Sequence, residues 1–308
     1  MPQNRRRFLR TTALGATAAF AGASAGIASA DHLHEVVSIT DPVPENLALD
    51  WNGDLYVGIT GGSVRRLPAD RTGETGLDVD RTEQVAEYPG GVAGVLVDDG
   101  VLYTAVNGES GGVYALDLRA DGAEPEALAT LFPDGDGFVN DLYADGSRLL
   151  VTESLGGTVY EVPLNGFEPS VWADDDLLDT PSFGANGGDA VRGHVFVTVT
   201  RVTDGKGRIV RFPVECDGGA GDPETYAEGP DVAGADGITS RGAGPYVALN
   251  AQNRVVRLVD GKLRTVLAGG RLSFPSEVVF DPTDPETAFV CNFSNERPEQ
   301  GGVLRGRI

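Results

Sequence analysis

The chain has 308 residues, with 24 Lys and Arg against 46 Asp and Glu, for a net charge of −22. No basic patch is present to displace counterions from a phosphate backbone, which argues against nucleic acid as a partner. So acidic a chain, with two Lys, suits a protein kept hydrated at high salt, where self-repulsion is screened.

The first 30 residues read as a removable export signal. Arg5-Arg6 followed by Phe8-Leu9 and Arg10 fits the twin-arginine pattern. An Ala-rich run then ends in Ala28-Ser29-Ala30, a small-residue cleavage pattern. This run is broken by Gly and Ser and is short for a membrane span, and no other segment could cross a bilayer. The expected mature protein, residues 31–308, is exported and extracellular or cell-surface. The signal carries four Arg and no acid, so 20 basic residues face 46 acidic ones from Asp31 on, a net charge of −26. These residues are enough for one large domain with a substantial core.

From His34 onward the chain consists of short apolar runs rich in Val, Ile, Leu and Tyr, punctuated by Gly, Asp and Asn. That is a strand-and-hairpin pattern. Six segments align as copies of one unit, beginning "PENLALDWNGDLYVGI", "AGVLVDDGVLYTAV", "VNDLYADGSRLLVTE", "ANGGDAVRGHVFVTV", "ADGITSRGAGPYVAL" and "PSEVVFDPTDPETAFVC". Each has a short strand, a turn, a second strand, a loop and a third strand. Most add a more polar fourth strand, such as "EQVAEY", "SVWAD" or "ETYAEG". The shared reference position falls at Glu45, Ala93, Asn140, Asn186, Asp236 and Ser276, at intervals of 48, 47, 46, 50 and 40 residues. Four antiparallel strands at that period predict an all-β fold, a six-bladed β-propeller. The sixth copy ends after its third strand. "HEVVSIT", residues 34–40, can supply the fourth, so that the mature N-terminal strand closes the ring.

In such a ring the first strand of each blade lines the axis. Of the six reference residues, Glu45, Asn140, Asn186 and Asp236 can offer side-chain oxygen. Asn and Asp also favour local turns, so any one of them alone reads more readily as a turn residue. Together, two carboxylates and two amides form a hard, oxygen-rich site of charge −2. That suits a divalent metal, Ca²⁺ best, with Mg²⁺ or Mn²⁺ as alternatives. The loops joining second and third strands share this rim, which puts Asn107, Glu153 and Asn250 in the candidate pocket. Cys216 and Cys291 lie in different repeats, and no Cys/His cluster suggests zinc. No G-x-S-x-G stretch precedes a helix, no His is suitably placed for Ser-His-Asp catalysis, and no Gly pair is followed by the Lys-Ser/Thr of a phosphate loop.

The run Glu45, "VND", "ANG" and "ADGI" resembles the regucalcin and gluconolactonase (senescence marker protein) family, and the related diisopropyl fluorophosphatase. The resemblance spans the whole mature chain. It implies a six-bladed propeller with a divalent metal on its axis, held by Glu45, Asn140, Asn186 and Asp236, with Asp236 also the general base. It also implies a small-molecule substrate, a lactone or related ester. Two departures stand out. Sugar lactonases of the family often carry Arg two residues before the third-blade Asn, where this chain has Phe138. The relatives that use a catalytic His have no counterpart here, since His32, His34 and His194 lie away from the reference positions. The alternative reading is a non-catalytic, calcium-stabilised propeller that binds a ligand or partner on its rim.

Overall fold

The computed structural model of the protein describes residues 30–308 except Asp204, Ala243 and Asp260. Five four-stranded antiparallel sheets follow one another along the chain. Blade 1 comprises Pro44–Leu49, Leu55–Ile59, Ser63–Leu67 and Glu83–Glu87; blade 2 comprises Gly91–Asp98, Val101–Asn107, Gly111–Asp117 and Glu126–Phe132. Blade 3 is Val139–Asp145, Arg148–Glu153, Thr158–Pro163 and Ser170–Asp174; blade 4 is Ala185–Val191, His194–Thr203, Lys206–Pro213 and Glu224–Gly229. Blade 5 is Ala235–Arg241, Gly244–Leu249, Arg254–Val259 and Lys262–Ala268. The sixth sheet runs Pro275–Phe280, Thr287–Asn292 and Gly302–Arg307, then His34–Ser38 from the other end of the described chain. That strand is antiparallel to Gly302–Arg307, with His34 opposite Arg305 and Ser38 opposite Gly302. The molecule is a six-bladed β-propeller with almost no helix.

One detail lies beyond the repeat pattern. Blade 1 carries an excursion between its third and fourth strands. Its residues Leu77–Asp78 pair in parallel with Val37 and Ser38 and extend the sixth sheet to five strands.

The strands hold their places because both faces of each sheet are buried against a neighbour. Apolar side chains gather in six clusters, one at each interface between adjacent blades. Blades 3 and 4 meet through Tyr143, Leu150, Trp172, Val197 and Phe212; blades 6 and 1 meet through Phe289, Val303, Leu47 and Val57. Truncating one fully buried Leu here, such as Leu149, would cost about 2–5 kcal/mol. The hairpin turns use the left-handed Gly conformation where the two-residue reversal requires it, as at Gly146 (φ 66°) and Gly193 (φ 75°).

The expected signal peptide lies outside the described residues apart from Ala30, which packs with Leu33 in the cluster between blades 5 and 6. Among the described residues, no helix is long and apolar enough to cross a membrane. The two cysteines are free, Cys216 exposed and Cys291 buried.

Candidate functional site

Every innermost strand carries an irregularity at the same place. Its pairing with the second strand slips by one residue between Pro44 and Asn46, Val92 and Val95, Val139 and Leu142, Ala185 and Gly188, Ala235 and Ile238, and Pro275 and Glu277. A β-bulge of this kind inserts one extra residue and re-aims the side chains around it. The reference residues and those that follow them therefore form two stacked sets at the ring's centre. The first is Glu45, Ala93, Asn140, Asn186, Asp236 and Ser276. The second is Asn46, Gly94, Asp141, Gly187, Gly237 and Glu277.

In the first set, three successive blades repeat one contact. Asn140 Nδ2 donates to Ser154 Oγ at 2.9 Å, Asn186 Nδ2 donates to Thr200 Oγ1 at 2.8 Å, and Asn250 Nδ2 donates to Asp236 Oδ2 at 2.6 Å. Each partner is 14 residues further on, at the end of the blade's second strand. Tying the amide nitrogens to the blade leaves the acceptor oxygens of Asn140 and Asn186 for other use. The backbone is fixed from the neighbouring blades. Thr198 Oγ1 donates to the Asp236 carbonyl at 2.6 Å, and Ser276 Oγ donates to the Glu45 carbonyl at 2.5 Å. Thr152 Oγ1 likewise donates to the Asn186 carbonyl. Asn140, Asn186 and Asp236 are 4–6% exposed.

The electrostatics show that these carboxylates share one environment. Burial drives the Glu45 pKa well above the usual carboxylate range, and the charges of Asp236 and Asp141 push it further. Burial also raises Asp236 to about 7, opposed by hydrogen bonds from Asn250 and Asn186. Among the described residues, no Lys, Arg or His side chain is among the groups that shift either acid. Glu45 Oε2 is buried with no hydrogen-bond partner. An orphaned carboxylate oxygen, a second buried carboxylate and two amide oxygens, with no protein counter-charge, fit a hard divalent cation. Among the described residues, no three His, Cys, Asp or Glu come together at metal-binding spacing. The candidate set holds only two carboxylates, its other donors being amides.

The second set is not singled out by the repeat reading. Asp141 takes the Leu142 and Gly188 N–H groups at 2.9 and 3.1 Å, and burial raises it to about 7. Glu277 takes the Val278 N–H at 2.7 Å, Asn46 Nδ2 at 3.4 Å and Thr239 Oγ1 at 3.4 Å. Its pKa is raised well above the ordinary value, by burial first and then by the Asp141 charge. Three glycines complete the set because nothing larger fits. A Cβ on Gly94 would stand 2.7 Å from the Asn140 carbonyl oxygen, and one on Gly187 or Gly237 would stand 2.5 Å from that of Asp236 or Ser276. The available signal was the residue immediately after each reference position, including the Asp of "VND" and the Glu of "PSE".

The four rim candidates separate. Asn250 holds Asp236 directly. The Asn107 oxygen accepts the Val139 N–H at 2.8 Å and its nitrogen donates to the Val139 carbonyl at 2.7 Å. Asn107 clamps blade 2 to blade 3 with both ends of its amide. Glu153 is 3% exposed, and its carboxylate accepts the N–H groups of Phe138 (2.9 Å), Leu155 (2.8 Å) and Gly156 (2.6 Å), which makes it an anchor for the rim backbone. Phe138 remains on the rim, half-buried, its ring 5.2 Å from that of Phe183. His194 opens the second strand of blade 4 at the opposite rim, with Nδ1 3.2 Å from the Arg192 carbonyl. His32 and His34 are exposed near the outer strand of the sixth sheet.

No family model matches the chain, and no curated protein sequence matches it. Solved structures do. A calcium-binding protein, regucalcin, from Agrobacterium tumefaciens is 14% identical with a TM-score of 0.65, covering 89% of this chain and 92% of its own. A putative oxidoreductase (glucose dehydrogenase) from Thermus thermophilus is 17% identical with a TM-score of 0.63, covering 89% and 98%. The PQQ-bound aldose sugar dehydrogenase from Streptomyces coelicolor is 14% identical with a TM-score of 0.62, covering 88% and 95%. At this identity the likeness is one of fold, the six-bladed propeller that these sheets form.

Proposed function

We propose that the protein is a metal-dependent hydrolase of lactones or related esters, with Ca²⁺ held by Glu45, Asn140, Asn186 and Asp236. The observation that carries this reading is the buried, unpartnered Glu45 Oε2 beside Asp236, with no cationic side chain among the described residues acting on either acid. The regucalcin neighbour, itself named a calcium-binding protein, supports the choice of ion. A bound Ca²⁺ would supply Lewis-acid polarisation of the ester carbonyl and charge for the developing oxyanion. The chain's own part is to position and to move a proton. Asn250 holds Asp236 Oδ2, which orients the carboxylate that would accept a proton from attacking water. The Asn140 and Asn186 amides are pre-oriented by Ser154 and Thr200, so no rotamer has to be ordered on binding.

A second reading, a calcium-stabilised binding propeller, draws support from the rim. No described His stands at the site, and Asn107 and Glu153 are engaged by backbone. One experiment separates the two. Purified protein is assayed on a panel of lactones, aryl esters and phosphotriesters as isolated, after chelation, and after Ca²⁺ is restored. Turnover lost on chelation and regained with Ca²⁺ supports the hydrolase. A rise in Tm with Ca²⁺ but no turnover on any substrate favours the binding module. Export by the twin-arginine route belongs to the same proposal, and Arg5→Lys with Arg6→Lys should leave precursor in the cytoplasm.

A further inference from the structure

Two residues before each axial residue, the chain enters the first strand of its blade at the rim that carries the axial site. Around the ring these positions are Val43, Gly91, Phe138, Gly184, Gly234 and Phe274. The two aromatics sit on blades 3 and 6, which face each other across a six-membered ring, and three of the other positions are Gly. Each aromatic has a partner on the same rim. Phe138 lies 5.2 Å from Phe183, and Phe274 lies 5.9 Å from Phe293, centroid to centroid. All four rings are only partly buried.

Phe274 carries an independent mark. Its φ is 50°, in the left-handed region that a bulky side chain rarely adopts. The surrounding structure imposes this conformation. Asn253 Oδ1 accepts the Phe274 N–H at 2.7 Å, the Phe293 N–H donates to the Phe274 carbonyl at 3.2 Å, and the buried hydroxyls of Ser273 and Ser294 meet at 2.7 Å. Backbone strain held against a half-exposed ring points to a role for the ring, since Gly would satisfy the fold without strain. Opposite it, Phe138 is fixed through its N–H by Glu153, a buried carboxylate spent on shaping this edge.

We infer that the mouth of the axial site is an aromatic slot, and that the substrate is a lactone or ester with an apolar acyl or aryl part rather than a polyhydroxylated sugar lactone. The hydroxyls of a sugar would lose water against Phe138 and Phe274 without gaining partners, whereas an alkyl chain buries apolar surface against both. This inference rests on the hydrolase reading for the word substrate, but its binding component can be tested alone.

Two six-membered lactones are compared, δ-decanolactone and D-glucono-δ-lactone, with the non-hydrolysable lactam of the former as a calorimetric probe. The variants are Phe138→Ala and Phe274→Gly, the second chosen because it removes the ring while relieving the backbone. The decanolactone should have the higher kcat/KM, mainly through a lower KM. Each variant should lower its selectivity over gluconolactone by about tenfold, the order expected from half the burial of a Phe. Phe274→Gly should keep the Tm of the parent, which separates loss of the slot from loss of the fold. Gluconolactone preferred by the parent, or selectivity unchanged in both variants, overturns the inference and leaves the hydrolase standing. Lactam binding without turnover, weakened in Phe274→Gly, upholds the slot and removes the hydrolase. No binding and no turnover overturns both.

Discussion

Raising the pH of chelator-treated protein from 5 to 8 should destabilise it, and Ca²⁺ should reverse the trend. Asp236 is 6% exposed and titrates near about 7 in the fold, against about 3.9 for an ordinary Asp. From pH 5 to about 7 the unfolded chain has released its proton while the folded one still holds it. The unfolded state therefore binds fewer protons, and stability falls as pH rises. The two pH units from 5 to about 7 correspond to about 2.7 kcal/mol. Roughly 2–4 °C of Tm per kcal/mol, for a chain of this size, gives a fall of roughly 5–11 °C. Glu45, Asp141 and Glu277 are displaced in the same direction. A cation at 100 times its Kd would add about 2.7 kcal/mol, and because its carboxylate ligands must be ionised, its contribution grows with pH. The two Tm curves should diverge from pH 5 to pH 8. Scanning calorimetry at high, fixed ionic strength is the measurement, since salt screens the repulsion among surface carboxylates and not among buried ones. A flat or rising Tm in chelator would refute the burial of uncompensated acids. Identical curves with and without Ca²⁺ would take the cation off the axis.

Asp236→Asn should lower turnover by about 10²–10⁴-fold while the far-UV spectrum is unchanged, because the amide keeps an oxygen but cannot accept a proton from water. Glu153→Ala leaves three backbone N–H groups without their acceptor and should cost about 3 kcal/mol in denaturant unfolding, whatever the substrate. Gly237→Ala places a Cβ against the Ser276 carbonyl and the Glu277 carboxylate and should cost about 1–3 kcal/mol, while Gly73→Ala, with nothing within 4 Å, should stay within about 0.5 kcal/mol of the parent. Titration with a thiol reagent should count one reactive cysteine in native protein, Cys216, and a second, Cys291, only after unfolding.

The repeat was legible because strand, turn and spacing are local properties. Gly at hairpin turns and β-branched or aromatic runs between them place four strands in each copy, and six copies make the propeller. The axial position of Glu45, Asn140, Asn186 and Asp236 follows from the same alignment, since residues at one phase of the first, innermost strand of each copy come together around the ring's axis. What lies one residue further could not be read in this way. Strict alternation sends Asp141 and Glu277 to the opposite face from Asn140 and Ser276, and only the bulge in each inner strand brings both residues of the pair to the centre. A bulge is a property of two strands in register, not of one sequence segment. The backbone partners of Asn107 and Glu153 are likewise decided in three dimensions. A polar side chain at a strand end can face solvent or the next blade's backbone, and Asn107 is committed to the second by Val139, 32 residues away. Phe274 shows the same division: composition supplies an aromatic at the rim, but its left-handed backbone is imposed by Asn253 of the neighbouring blade, a contact that exists only once the ring has assembled.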